Sequence, residues 1–264
     1  MQVKSAIRVI EVLEFFDTVQ REASLSEIAL ELGYPLSSTS MLLQSLVKRG
    51  YLSQGDKRLY RLTPRVKLLG SWLSPMLDAN GPVTSIMDWV GTQCQQLVVL
   101  AAPEHMQVRY IRLVQATGTV RMHVTLGSVR PLPTSGLGRL FMTKMSDDEI
   151  EHVVRLHNAG VGHEAAPLST AVLRRELQAI RAAGCSVSFD KVSPGAGVVA
   201  VLVPTPASET PLAIGIGAPS ALIRANAANF SALLKDAVSR FCAPALGEPA
   251  LRRPRAGRIQ GVGE

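Results

Sequence analysis

Between Ser37 and Lys48 the chain sets small polar side chains at helical intervals. Ser37, Ser40, Met41, Gln44 and Lys48 fall at i, i+3, i+4, i+7 and i+11, while Thr39, Leu42, Leu43 and Leu46 form an opposite apolar stripe. Serine hydroxyls and a helix N-terminus can meet phosphate, and a glutamine amide can address a base edge. That is the chemistry of a helix lying in the major groove of double-stranded DNA. Ser26, Ser38 and Ser45 belong to the same candidate face, and Met41 offers a contact for a thymine methyl. Lys57 and Arg58 end a Gly55-Asp56-Lys57-Arg58 turn, where two cations suit a phosphate backbone.

A second group lies at Thr134-Ser135-Gly136-Leu137. The two hydroxyls and the loop N–H groups could hold a carboxylate, and glycine allows close backbone approach. Met122, Leu137 and Val198 would supply an apolar wall. Gly215 and Gly217, two apart on a strand, would leave room on one face. The combination suits a small aromatic or branched organic acid. The competing reading is that these glycines serve only sheet packing.

Other chemistry is poorly supported. Gly136-x-Gly138 lacks the third glycine and the strand-to-helix context of a dinucleotide site. His152 and His157 are five apart, off the spacing that shares a helical face for metal. His105, His123 and His163 have no Cys or carboxylate at ligand spacing, and Ser135 is not in a nucleophile elbow. No metal and no cofactor are expected. An enzyme acting on a small organic acid through the second half of the chain is the alternative. A pure interaction adaptor would need no second domain.

The elements that must carry these residues can be read from periodicity. Ala6, Val9, Ile10, Leu13 and Phe16 predict a first helix facing inward over 5–19. Ser24-Leu25-Ser26-Glu27 is a capping-box pattern opening a second, which Gly33 ends. Pro35 blocks immediate helix at Tyr34, and Ser37 is placed to cap the third, which Gly50 stops. Two short alternating strands around the Gly55-Asp56 turn read as a hairpin. Three helices and a hairpin are the parts of a winged helix-turn-helix. Residues 64–90 look helical, broken near Asn80-Gly81-Pro82. Beyond them, strands are expected at 97–102, 108–114, 120–125, 186–189, 198–203 and 212–217. Helices are expected at 137–142, 147–157, 170–183 and 223–241, giving an α+β second domain.

Composition agrees with this division. Residues 1–70 hold ten Lys/Arg against seven Asp/Glu, and the last thirteen residues add four Arg against one Glu, most of the net +7. A basic excess at these two places favours a polyanion partner. Three cysteines without a Cys-x-x-Cys pair argue against a disulfide framework or zinc site and fit a reducing cytoplasm. No apolar run reaches the ~18–20 residues that span a membrane, so no membrane association is expected.

Taken in order, SerLeuSerGluIleAlaLeuGluLeuGlyTyrPro, SerSerThrSerMetLeuLeuGlnSerLeu, ArgGlyTyrLeu and TyrArgLeuThrProArgValLysLeuLeuGly resemble the N-terminal domain of IclR-type bacterial transcriptional regulators. GlySerValArgProLeuProThrSerGlyLeuGlyArgLeu at 127–140 is similar to that family's effector loop. IleArgAlaAlaGlyCysSerValSerPheAspLys at 180–191 and AlaIleGlyIleGlyAlaPro at 213–219 resemble its later signatures. The resemblance implies a winged helix-turn-helix over 1–64, a linker helix over 65–82 and a GAF-like effector-binding and oligomerisation domain over 83–246. That domain would carry a curved antiparallel sheet, and a basic disordered tail would follow over 247–264. It further implies a homodimer or dimer of dimers on a near-palindromic operator, responding to a small-molecule effector.

Positions matching the family's effector contacts are Met122, Gly136, Leu137, Ser188, Ala196, Val198, Gly215 and Gly217; Thr119 and Asp190 complete the implied set with Thr134 and Ser135. Serines, a cysteine and a carboxylate common there are replaced by Gly, Val and Ser, which implies a roomier, less polar pocket. Met41 stands where the family usually has a basic residue, so the operator preference should differ too.

Overall fold

The computed structural model describes residues 3–246 apart from 56, 71–74, 79–80, 119–121, 123, 161–165 and 207–208. Thr119, His123, His163 and the expected tail at 247–264 therefore lie outside the described residues. Two compact units divide the chain, Met1–Pro75 and Met76–Glu264.

The first unit runs α1 (Lys4–Val19), β1 (Ala23–Ser24), α2 (Leu25–Glu31), α3 (Leu36–Lys48), β2 (Leu52–Gln54), β3 (Leu59–Leu62) and α4 (Pro64–Gly70). The Ser24 hydroxyl caps α2 by accepting from the Glu27 N–H at 3.3 Å. The reciprocal half of the capping box is not made, because the Glu27 carboxylate pairs with Arg21 at 2.5 Å. Gly33, at φ +67°, reverses the chain after α2, as glycine does at low cost. Pro35 precedes α3, which starts at Leu36; Ser37 sits inside the first turn and caps nothing. The carbonyl of Pro35 instead accepts from the Ser38 and Thr39 hydroxyls, each at 3.0 Å. Gly50 follows the Arg49 cap at φ +77°.

Ile28, Leu43, Leu46, Leu52 and Tyr60 pack with α1 into one core. The structure corrects the expected inward face of α1. Ala6 and Ile10 are exposed, and Val12 and Phe15 take the core beside Phe16. Apolar residues run around more than one stripe of α1, and the stripe of Val12, Phe15 and Phe16 is the one that joins the core with Ile28, Leu43 and Tyr60. The hairpin β2–β3 pairs antiparallel, and β1 adds a third strand across β3 that two residues were too short to announce. Of the stretch expected to be helical over 64–90 with a break near Asn80-Gly81-Pro82, the described residues show three pieces. After α4 come a 3-10 turn at Pro75–Leu77 and then α5 (Pro82–Cys94), opened by Pro82. Of the implied linker helix at 65–82, only 65–70 lies in α4 among the described residues.

The second unit continues with β4 (Leu97–Glu104), β5 (Gln107–Val114), β6 (Val129–Pro131), α6 (Gly136–Met142), α7 (Asp147–Gly160) and α8 (Thr170–Ala183). It closes with β7 (Ser186–Phe189), β8 (Ala196–Val203), β9 (Leu212–Pro219) and α9 (Ser220–Leu246). The six strands form one curved antiparallel sheet in the order β6-β5-β4-β9-β8-β7, so the fold is α+β. Alternation along the central strands fills two cores. Val98, Leu100, Ile214 and Ile216 pack toward α5 and α9; Leu97, Val99 and Ala213 pack toward α6, α7 and α8. The strand expected at 120–125 is not seen: Met122, Val124 and Thr125 are irregular, and the edge of the sheet is β6. Helix α9 extends beyond the expected 223–241 at both ends.

Candidate DNA-binding face and ligand cavity

Helix α3 exposes the polar row and buries the apolar one. Thr39, Leu43 and Leu46 are buried, whereas Ser37, Gln44, Ser45 and Lys48 are exposed and Met41 is 70% exposed. Ser26 is exposed at the start of α2. The Gln44 amide donates a long hydrogen bond to the Ser40 hydroxyl at 3.5 Å and keeps its second N–H and its carbonyl oxygen for another partner. The Ser38 and Ser45 hydroxyls are committed as donors to Pro35 and Met41 carbonyls, at 3.0 and 2.8 Å, and keep only acceptor capacity.

Behind this face, the Tyr34 hydroxyl donates to the Glu11 carboxylate, which raises the phenol's pKa, and Arg8 lies 4.5 Å over the Tyr34 ring. These contacts tie the turn between α2 and α3 to α1 and fix the angle of α3. Lys57 and Arg58 are exposed beside the hairpin turn, with Arg58 in the left-handed region at φ +57°. The Arg58 N–H donates to Gly55 and the Gly55 N–H to Leu59, which closes the loop. Asp56 lies outside the described residues.

In the second unit a cavity of about 70 Å³ opens between the sheet and the start of α6. Its floor is a cross-strand row. Leu97 pairs Gly217, Gly217 pairs Val198, and Val198 pairs Ser188, so all four face the same side. The hollow exists because Gly217 has no side chain; a Cβ there would only touch Leu97 at 3.4 Å. Gly215, one row along, is different. A Cβ there would press on Val198 at 3.1 Å and Ala200 at 3.3 Å, and the residue does not border the cavity.

Met122, Ser135, Gly136, Leu137, Ser188 and Ala196 meet at this cavity. Gly136 is not a loop residue but the first residue of α6, capped by Ser135, whose hydroxyl accepts from Gly138 N–H at 3.1 Å. A Cβ on Gly136 would lie 2.7 Å from Ser188 Cβ and 2.9 Å from Val198, and one on Gly138 would overlap the Leu132 carbonyl. Both glycines let α6 settle onto the sheet, so close backbone packing explains them.

Thr134 does not border the cavity. Asp190 is turned away from it and holds the backbone together instead. Its carboxylate accepts from Gly195 N–H at 2.8 Å and the Ser220 hydroxyl at 2.7 Å, with Arg224 at 3.3 Å. The Ser220 hydroxyl, then the Gly195 N–H and then Arg224 hold its carboxyl below the usual range. This clasp fastens the β7–β8 loop to the start of α9. Sequence reasoning missed several residues of the cavity, notably Tyr110, Arg130, Lys191 and Ser193. Arg130 and Lys191 stand inside the motifs at 127–140 and 180–191, but their sharing of one hollow depends on the sheet order. Among the described residues no three His, Cys, Asp or Glu side chains gather as a metal site, and no helix is long and apolar enough to cross a membrane.

A helix-turn-helix unit with an exposed polar recognition helix, joined to an α+β unit with a hollow beside its sheet, is the architecture of a DNA-binding transcriptional regulator. Residues 5–56 match the IclR helix-turn-helix domain and residues 79–243 the bacterial transcriptional regulator IclR C-terminal domain. The chain belongs to the IclR family, and it is a regulator and not an enzyme. It is 24% identical over 226 residues to the acetate operon repressor of Salmonella typhimurium, covering 84% of this chain and 82% of that one. It is 24% identical over 222 residues to the transcriptional repressor IclR of Escherichia coli, covering 83% and 81%. Among solved structures, the Thermotoga maritima IclR shares the fold with TM-score 0.62 at 17% identity, covering 94% of this chain and 100% of that chain. An IclR homologue of Microbacterium hydrocarbonoxydans complexed with 4-hydroxybenzoate does so with TM-score 0.61 at 20% identity, covering 92% and 100%.

Proposed function

We propose that this chain is a cytoplasmic repressor that binds a near-palindromic operator as a homodimer or dimer of dimers and responds to a small organic acid. The observation that carries the reading is the α3 face: an exposed row that includes Gln44 and Lys48, backed by a buried stripe. On this reading Gln44 and Met41 read base edges, Ser26, Ser37, Ser40 and Lys48 meet phosphate, and Lys57 and Arg58 lie along the backbone. The exposed Met41 suits a thymine methyl and would shift operator preference toward A·T pairs at that position.

The hollow bounded by Leu97, Leu137, Val198 and Gly217 is the effector site of the reading. The 4-hydroxybenzoate bound by the Microbacterium homologue supports an acid ligand. At about 70 Å³ the hollow is about half the ~150 Å³ of an engineered cavity that takes benzene, so an aromatic acid enters with a shift of the pliable Met122. The ligand changes operator affinity by favouring one arrangement of the two units.

Fluorescence anisotropy with duplexes tiling the DNA upstream of the chain's own gene tests the first half. One duplex should bind at least ~10³-fold tighter than scrambled DNA, and sedimentation of the complex should give two or four chains. Equal affinity for all duplexes, or a single chain on the operator, refutes the reading.

A further inference from the structure

Among the described residues, four arginines of the second unit are held in ion pairs. Arg109 pairs with Glu104, Arg139 with Glu176, Arg174 with Asp147 and Arg224 with Asp190. Arg130 is half-buried and, among the described residues, has no carboxylate partner. One of its nitrogens donates to the Val129 carbonyl at 2.8 Å, and its guanidinium lies 5.2 Å over the Tyr110 ring. That stack is fixed by register. Arg130 on β6 stands opposite Val108 on β5, and Tyr110 is two residues further along the same face. Lys191, on the β7–β8 loop, stands at the same hollow, likewise without an ion pair among the described residues.

No Asp or Glu lines the hollow, while Leu97, Val99, Leu137 and Val198 do. Two cations beside an apolar cleft raise the local concentration of anions. Burial pushes the Tyr110 phenol up, so it offers no counter-charge at neutral pH.

We propose that Arg130 is the specificity-determining residue of this cavity: its guanidinium receives the carboxylate of an organic monoanion whose apolar body lies against Leu97 and Val198, with Lys191 closing over the charge. The proposal rests on the reading of the hollow as the effector site. A planar guanidinium held by Tyr110 presents parallel N–H donors that match a carboxylate, which an ammonium does not.

Isothermal titration of the full chain with benzoate, 4-hydroxybenzoate and isovalerate, against the neutral benzamide and 4-hydroxybenzamide, tests it. Carboxylates should bind at least about tenfold tighter than their amides. Arg130→Met should weaken the carboxylates roughly 10- to 100-fold and the amides little, because a hydrogen bond to a charged group is lost. Arg130→Lys, which keeps the charge and the stem over Tyr110, should recover only part; it also decides the matter if Arg130→Met does not fold. Lys191→Ala should matter mainly at low salt.

Carboxylates and amides binding alike, or Arg130→Lys matching the wild type, overturns the proposal. If Gly217→Leu removes all binding while the Arg130 variants change nothing, the effector site stands and the role of Arg130 falls. If the wild type binds none of the probes, or Gly217→Leu binds them all unchanged, the reading of the hollow falls and this proposal with it.

Discussion

Removing Lys57 and Arg58 together should change salt dependence rather than sequence preference. Both side chains are exposed at the hairpin turn, and neither has an ion pair among the described residues. Each phosphate contact contributes about 0.9 to the slope of log affinity against log salt, so Lys57→Ala with Arg58→Ala should flatten that slope by up to about 1.8 per half-site. A fourfold rise in salt, from about 50 to 200 mM, then costs the wild type about 12-fold more affinity per half-site than the variant. Alanine at position 58 keeps the left-handed backbone strain that arginine already bears, so the loop's stability should barely change.

Gln44→Ala works the other way. It should lose roughly 1–3 kcal/mol on the operator, leave the salt slope alone and bind scrambled DNA as the wild type does. Anisotropy titrations of the three proteins at four salt concentrations, on operator and scrambled duplexes, separate the two behaviours. An unchanged slope in the double variant, or equal losses on both duplexes for Gln44→Ala, refutes the assignment of wing to backbone and helix to bases.

Three further outcomes follow from packing and charge. Leu43→Ala, at a side chain with no exposure, should destabilise the first unit by about 2–5 kcal/mol in urea melts and abolish operator binding at 37 °C. Gly138→Ala should prevent α6 from seating, because its Cβ overlaps the Leu132 carbonyl, and should lower the melting temperature of the second unit while leaving the melt of the first. Asp190→Asn should loosen the β7–β8 loop. Because the folded carboxyl is held below its ordinary value, its stabilisation is present above about pH 4 and is lost as pH falls through the lowered value. The melting-temperature gap between wild type and Asp190→Asn should therefore be full at about pH 6–8 and close below about pH 4.

Local signals carried the first unit well. The capping Ser24, the Gly33 reversal and the α3 stripe are short-range features, and each formed where its residues predict, with α3 starting early at Leu36 rather than after Ser37. The buried face of α1 is not legible in the sequence because its apolar residues are not confined to one stripe, so only tertiary packing decides that Val12 is buried and Ile10 is not. Strands β1 and β6, of two and three residues, carry too little alternation to be recognised. At the cavity, Met122, Leu137, Val198 and Gly217 were legible, and Gly136, which also borders it, lets α6 seat on the sheet together with Gly138. Arg130 and Lys191 were invisible as a pair because β5, β4, β9 and β8 separate their elements in the sheet. Asp190 shows the reverse failure: a motif carboxylate whose partners lie some thirty positions on, at Ser220 and Arg224, reads as a site until those contacts are known.

If ligand in the hollow and DNA at the operator are thermodynamically coupled, linkage can be measured from both ends. The full chain should be titrated with its operator at zero and saturating acid, and with the acid in the absence and presence of operator. Coupling predicts that operator affinity changes about fivefold or more, that acid affinity changes by the same factor, and that both ratios fall to one in Gly217→Leu. Operator affinity that stays constant while the acid saturates the wild-type cavity would contradict it.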